Sequence, residues 1–367
     1  MSVVKSIASK STNGVRRLFW LYNPKTWKEK GIVWSIGLLL VTYLIVVVVL
    51  GVIWSQEPDT FDLHQNALTE ATLNKPNLKD ADLQDGTILV PGYITTTTTI
   101  GVANTLLNKP GGYLSNDVMP PGVYLDNIPN WEYGVLVQLR DMVRTLRNDF
   151  SRAQSQSIED KDLQIADPQF NFDSESWILP STEGEYQKGI DALRRYAARL
   201  ADSNDRDGQF YVRVDNLREY LGTAIKRLGN IGQRLSASVG QVRFNTNLAG
   251  DPTAAQSTPT PPQLKVKTSW LELDDVFYEA RGTTWAMLQF LKAIQIDFQR
   301  TLADKNAEVS LAQVIRELED SQQVLWPRVV LNGTGFGVLA NHSLVMSSYV
   351  GRANSALINL RDLLQQG

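Results

Sequence analysis

The chain has 367 residues and a formal charge of −3, with no cysteine and two histidines, His64 and His342. This composition excludes disulfides, thiolate metal ligation and a cysteine nucleophile, and leaves too few histidines for a multi-His centre, so neither a metal site nor a cofactor is expected. Residues 1–31 hold seven of the 36 basic residues and one of the 39 acidic ones, which leaves 29 basic and 38 acidic residues, or −9, for residues 32–367; so acidic a body is a poor match for nucleic acid.

Ile32 to Trp54 is an uncharged run of 23 residues. As a helix it is about 35 Å long, enough to cross a hydrocarbon core of about 30 Å. Trp34 and Trp54 sit near its ends, where aromatic belts lie. The cations before it (Lys5, Lys10, Arg16, Arg17, Lys25, Lys28 and Lys30) and the anions after it (Glu57, Asp59 and Asp62) place the N-terminus in the cytoplasm and export everything beyond Trp54. A signal peptide is the competing reading. The leader and the apolar run are both long for one, and Ser55-Gln56-Glu57 is a poor cleavage site. The leader's Arg16-Arg17-Leu18-Phe19-Trp20 cluster suits the lipid interface, with a cytoplasmic docking arm as the sharper alternative.

Residues 57–92 are polar. Leu73, Leu78, Leu83 and Ile88 are five apart, but about one coil of a β-helical repeat cannot bury its own face, so a stalk-like loop is expected. In YITTTTTIGVANTLLN, from Tyr93 to Asn108, the threonine run favours strand while Ile100, Ala103, Leu106 and Leu107 keep helical spacing; the helix is preferred, from about Thr96 to the stop at Lys109-Pro110-Gly111-Gly112. Lys109 to Gly134 has no helical or strand period. A loop of that length inside a compact domain is either functional or a packed Ω-type connection. Its Tyr113, Asn116, Tyr124, Asn127 and Trp131 are the candidate binding residues, and Asp117, Asp126 and Glu132 are weak catalytic candidates.

Trp131 to about Ser157 reads as a helix with Val135, Leu139, Met142, Val143, Leu146 and Phe150 on one face and Arg140, Arg144 and Arg147 on the other. Ile158 to Pro180 reads as irregular. Thr182-Glu183-Gly184-Glu185 predicts a capping box and a helix to about Asp202. Asn204 to Gly208 reads as a plain turn: a calcium loop is out of register there and lacks the closing Glu. Val214, Leu217, Leu221, Ala224, Leu228, Ile231 and Leu235 alternate three and four apart, a heptad seam on a helix from Phe210 to about Asn245. Gly229 and Gly232 are expected to mark close helix approach or bending.

Leu248 to Pro262 is a Pro/Thr linker by composition. A capping box at Ser269-Trp270-Leu271-Glu272 predicts a helix of about 35 residues, about 50 Å long, carrying Leu273, Phe277, Ala280, Thr284, Leu288, Leu291, Ile294, Phe298 and Leu302. A further helix runs from Ser310 to Leu325. The loop Leu331 to Gly337 lacks the Lys-Ser/Thr of a P-loop. On the last helix, Asn341 to Gln366, Ser343, Ser347, Gly351 and Ser355 form a small-residue ridge for another helix, and His342 reads as an N-terminal polar residue.

The runs GGYLSNDVMPPGVYLDNIPNWEYG, LRDMVRTLRNDFSRAQSQSIEDKDL and SWILPSTEGEY resemble an uncharacterised family of proteobacterial single-pass inner-membrane proteins, known as a domain of unknown function. The resemblance covers the anchor and most of the chain from about Gly92. It implies a Gram-negative envelope setting and carries no catalytic residue over.

The expected fold is all-α: one N-terminal transmembrane helix, then an exported bundle of long helices with long irregular loops. Its parts are a basic cytoplasmic leader (1–31), the span (32–54), a periplasmic helical part with the long Pro/Gly loop (57–247), the linker (248–262) and C-terminal helices (263–367) packing on the first part. The leading functional expectation is a non-enzymatic scaffold or adaptor in the inner membrane whose partners are the bilayer and another envelope protein. The alternative is a periplasmic two-carboxylate hydrolase, or binder, acting on cell-wall glycan. A hydrolase needs two carboxylates about 5 to 9.5 Å apart, one of them with a raised pKa, so candidates splayed on the outside, or each buried against a backbone N–H, count against it.

Overall fold

The computed structural model describes residues 31–74, 90–153, 158–202, 207–245, 263–323, 330–333 and 340–366. They fall into two units, residues 1–54 and residues 55–367. The readings placed on the leader, on the pentads beyond Asn74, on Asn204–Arg206, on the linker and on Thr334–Gly337 lie outside the described residues.

The described part of the first unit is helix α1 (Ile32–Trp54), with mean hydropathy 3.0 and no buried residue. Its length and composition suit a membrane span and equally a signal sequence.

Among its described residues the second unit is mainly helical, with one hairpin and one isolated β-bridge between Asn332 and Asn341. Its helices among the described residues are α2 (Leu63–Asn74), α3 (Tyr93–Asn108), α4 (Asn127–Thr145), α5 (Leu163–Phe170), α6 (Thr182–Leu200) and α7 (Val214–Ser236). After strands β1 (Gln241–Phe244) and β2 (Gln263–Val266) come α8 (Leu273–Asp297), α9 (Gln299–Asp304), α10 (Glu308–Ser321) and α11 (His342–Gln366). One hydrophobic cluster draws on both sides of the linker, from Leu63 to Leu364.

The core is built around α8. Eighteen of its 25 residues are buried, because α3, α4, α7, α10 and α11 surround it. An apolar stripe alone would need only one covered face; here Ala280, Gly282, Thr283, Thr284 and Ala286 let neighbours close on the others. The α4–α8 contact is close enough to need glycine. A Cβ on Gly282 would stand 2.0 Å from the Trp131 carbonyl oxygen, and one on Gly134 would stand 2.2 Å from that of Glu279. Trp131 lies beside Gly282 near the starts of these helices, and Phe150 stacks on Phe298 just past their ends. The two helices therefore run in the same direction.

The threonine run is helical and buried. The hydroxyls of Thr96, Thr97 and Thr99 donate to the carbonyls four residues back at 2.7, 2.8 and 2.8 Å, a local bond that makes β-branched polar residues acceptable inside a core helix. The helix begins at Tyr93, ahead of the expected Thr96. Gly92 turns the chain with φ 87, and Asp297 accepts from the Thr95 N–H at 2.7 Å and the Thr95 hydroxyl at 2.6 Å.

The heptad seam of α7 is buried from Leu217 to Leu235, mostly against α11. Gly232 is a point of close approach, where a Cβ would meet Val350 at 3.3 Å, whereas Gly229 faces open space. On α11 the ridge residue Ser343 is buried, and the Ser347 hydroxyl donates to the Gly232 carbonyl at 3.2 Å. Asn341 caps the helix through the Leu344 N–H at 2.9 Å, and His342 Nδ1 accepts from the Leu331 N–H at 2.8 Å.

Several boundaries differ from the sequence expectation. Helix α7 stops at Ser236 rather than Asn245, because Gly240 takes φ 86 and the chain enters an antiparallel hairpin with Gln241 opposite Val266. The long C-terminal helix is broken at Phe298, which buries its ring against Phe150 and Phe210. Helices α2 and α5 occupy stretches expected to be irregular, and α4 ends in a π turn over Leu146–Phe150.

Candidate functional site

The long loop from Lys109 to Asp126 is held by a buried ion pair. Glu132, on the first turns of α4, is fully buried and pairs with the equally buried Lys109 at the end of α3. Its carboxylate also accepts from the backbone N–H groups of Leu114 and Ser115 at 2.8 Å each, and from the Ser115 hydroxyl. Lys109 further donates to the Gly112 carbonyl. The polar atoms of the pair are thus satisfied, by groups of the loop and by the Leu106 carbonyl, as a buried charge requires. Burial pushes the Lys109 ammonium below its usual range, with Glu132 opposing.

The other candidates divide between anchor and surface. Trp131 is fully buried beside Trp285, with ring centroids 5.2 Å apart. Tyr113 is buried edge-on to Tyr186 at 5.8 Å, and burial raises its phenol well above the usual range. Asn116 is buried and donates at 3.0 Å to both the Ser176 carbonyl and Glu183 Oε2. Asn127 is half-buried at the start of α4. Tyr124 alone among the five points outward, 71% exposed. Three of the binding candidates therefore serve the loop's own packing.

The three carboxylates have three different situations. Glu132 has both oxygens engaged and faces no solvent. Asp126 is exposed and caps α4, accepting from the Asn127 N–H at 2.9 Å. Asp117 is half-buried over Gly122, where any Cβ would collide with its carboxylate; burial, then Glu132 and Glu183, raise its pKa. Of the three, only Glu132 is buried against backbone N–H groups, a situation that counts against hydrolysis only where each candidate shares it. Among the described residues no group of three or more His, Asp and Glu could hold a metal ion.

The loop surface is apolar. Val118, Met119, Val123 and Tyr124 are all exposed, Met119 by 72%. Asn116 ties this loop to a second one, residues 171–181, whose Trp177, Ile178 and Leu179 also face solvent, Leu179 by 90%. A cavity of about 200 Å³ between Tyr113, Ser115, Pro129, Tyr133, Ser174 and Glu175 continues the seam between the loops. In the sequence this second loop reads as irregular and part of it carries the family resemblance, without Trp177, Ile178 or Leu179 being singled out as site residues.

Four acids gather beside the loops. The Asn130 amide, on α4, donates to Asp275 Oδ1 at 2.8 Å, so the starts of α4 and α8 lie together. Asp126, Glu272, Asp274 and Asp275 therefore share one end of the unit, next to the exposed Trp270 and Leu271. The Asp275 carboxyl is pushed up to about 6, first by burial and then by Asp274, Asp126, Glu272 and Glu279.

A second built pocket, about 280 Å³, lies between Ser55–Thr60 and α8. Buried Arg281 closes it, gripping Glu57 at 3.0 Å and donating to the carbonyls of Ser321 and Gln323 at 2.8 and 2.9 Å. It clamps the segment after α1 onto the body.

A family model described as an uncharacterized protein conserved in bacteria (DUF2333) matches residues 27–367. No curated protein and no solved structure matches the chain.

Proposed function

Because the chain belongs to the DUF2333 family, conserved in bacteria, and carries one N-terminal apolar helix, we propose that it is a membrane-anchored adaptor of the bacterial cell envelope. In this reading α1 spans the inner membrane, residues 1–31 stay in the cytoplasm, and the periplasmic body holds its paired loops out to another envelope protein. The observation that supports it best is the set of exposed apolar residues, Val118, Met119, Val123, Tyr124, Trp177, Ile178 and Leu179, on loops that buried polar contacts hold in one conformation. Apolar surface of this kind on a preorganised loop costs little further ordering to bind and is typical of interaction sites.

The test is photo-crosslinking in cells from a photoreactive residue at Tyr124 or Trp177. Exposed Val309 on α10 and buried Trp131 serve as controls. A discrete protein adduct from the two loop positions, and not from Val309, is the expected result. Adducts of glycan or wall-peptide mass would transfer the site to the cell wall. A folded protein that gives no loop-specific adduct would remove the adaptor reading.

A further inference from the structure

We propose that the loop end receives a cationic amphipathic polypeptide segment of the partner, with its apolar side chains on the exposed loops and its Lys and Arg side chains against Asp126, Glu272, Asp274 and Asp275. This rests on the adaptor reading and adds the chemistry of what is bound.

The argument begins with the parallel course of α4 and α8. Acidic residues are common at helix N-termini, where they oppose the helix dipole. Two antiparallel helices would place such acids at opposite ends of the body. Here both helices start at the same end, so the cap of α4 (Asp126) and the first turn of α8 (Asp274 and Asp275), with Glu272 before it, converge. Two cations of this region are used elsewhere: Arg234, on α7, pairs with Glu279 at 2.5 Å, and Arg281, on α8, is committed to Glu57 and two carbonyls. Among the described residues none of the four carboxylates forms an ion pair, and Asp275, pushed up to about 6 first by burial, is raised further by Asp274, Asp126 and Glu272. The cluster is thus more negative than helix capping alone requires.

The apolar residues border this charge on two sides. Val123 and Tyr124 precede Asp126 with only Leu125 between, and Trp270 and Leu271 precede Glu272, Trp270 being 80% exposed. An apolar surface rimmed with unpaired carboxylates selects against anionic lipid head groups, which the acids repel. It selects for a polypeptide that carries both apolar and basic groups, with the charges setting register and on-rate.

The experiment uses the full chain in nanodiscs and three synthetic probes: a Lys/Leu amphipathic peptide, its Glu/Leu counterpart and a Lys/Ser peptide. Only the Lys/Leu peptide should bind, and raising salt from about 50 to about 500 mM should weaken it. Glu272→Gln/Asp274→Asn should weaken binding by about tenfold. An equal charge change elsewhere, Asp304→Asn/Glu308→Gln, should leave it unchanged. Met119→Ser/Tyr124→Ser should weaken it without changing the salt dependence. Equal binding of the Glu/Leu peptide, equal effects of the two charge variants, or binding to anionic vesicles with no peptide binding would each overturn the proposal. A loop-specific protein adduct in cells that is unchanged by Glu272→Gln/Asp274→Asn would sink this inference and leave the adaptor reading standing. Absence of any such adduct sinks the adaptor reading itself.

Discussion

A single carboxylate decides whether the long loop has a shape. Glu132 is buried, and four groups of the loop (the Lys109 ammonium, two N–H groups and the Ser115 hydroxyl) converge on it. Glu132→Ala would leave a buried ammonium without its partner, a loss of about 3–5 kcal/mol, and thermal unfolding followed by circular dichroism should show a large fall in midpoint. Lys109→Met/Glu132→Met removes both charges and should cost less than Glu132→Ala; an equal or greater loss would mean that the pair does not pin the loop. Two other acids contribute most visibly to the response to pH. Asp275 and Asp297 are each pushed up to about 6, chiefly by burial. The folded state therefore binds these protons more tightly than the unfolded chain does. Their contribution is fully present below the ordinary carboxylate value of 3.8 and is lost as pH rises through about 6. Stability from these two groups should fall between about pH 4 and pH 6. Asp275→Asn should flatten that part of the profile while keeping an oxygen that accepts from the Asn130 amide, and an unchanged slope would place the proton uptake elsewhere.

Helix contacts show how much the sequence discloses. The α7 seam was legible because its apolar residues repeat three and four apart, and a repeat survives without knowledge of the partner helix. Burial of α8 on all sides was not legible, since its small and hydroxylated residues look polar until five neighbours close on them. The β1–β2 hairpin was hidden because its strands are four residues each and separated by the linker. At the site, the aromatic loop stood out by composition, yet which of its residues point outward depends on Glu132 and Asn116 finding partners at Lys109 and Glu183. The acidic end required knowing that α4 and α8 are parallel, and no local pattern carries that. The same contact yields a test between elements. Gly282→Ala and Gly134→Ala each drive a Cβ into a backbone carbonyl that cannot rotate away, so each should destabilise by several kcal/mol, roughly the overpacking range or beyond. Gly222→Ala, on the open face of α7, meets nothing within 4 Å and should stabilise by about 1 kcal/mol through helix propensity alone. Similar midpoints for all three variants would contradict the close α4–α8 approach.

At the scale of the whole molecule, the apolar helix and the body make opposite demands on solvent. Helix α1 buries none of its residues, so its apolar surface needs lipid or some other cover, while residues 55–367 enclose their own core. Removing residues 1–54 while keeping Glu57 for Arg281 should therefore yield a soluble protein whose circular dichroism is dominated by helix. A spectrum dominated by strand, or a fragment that stays insoluble, would contradict that division. Orientation follows from charge. Seven cations and one anion precede the apolar run, and the body beyond it carries −9 with α1 included; moving the cationic flank across a membrane is disfavoured, so the acidic body should be the exported side. The family match begins at residue 27 and so includes α1 with the body. A reporter active only outside the cytoplasm, fused after Gly367, should then be active and remain with the membrane fraction at the mass of the whole chain. Activity of a cytoplasm-only reporter at that position would reverse the orientation. An active export reporter on a shortened, soluble chain would replace the anchor with a cleaved signal and free the acidic loop end from the membrane altogether.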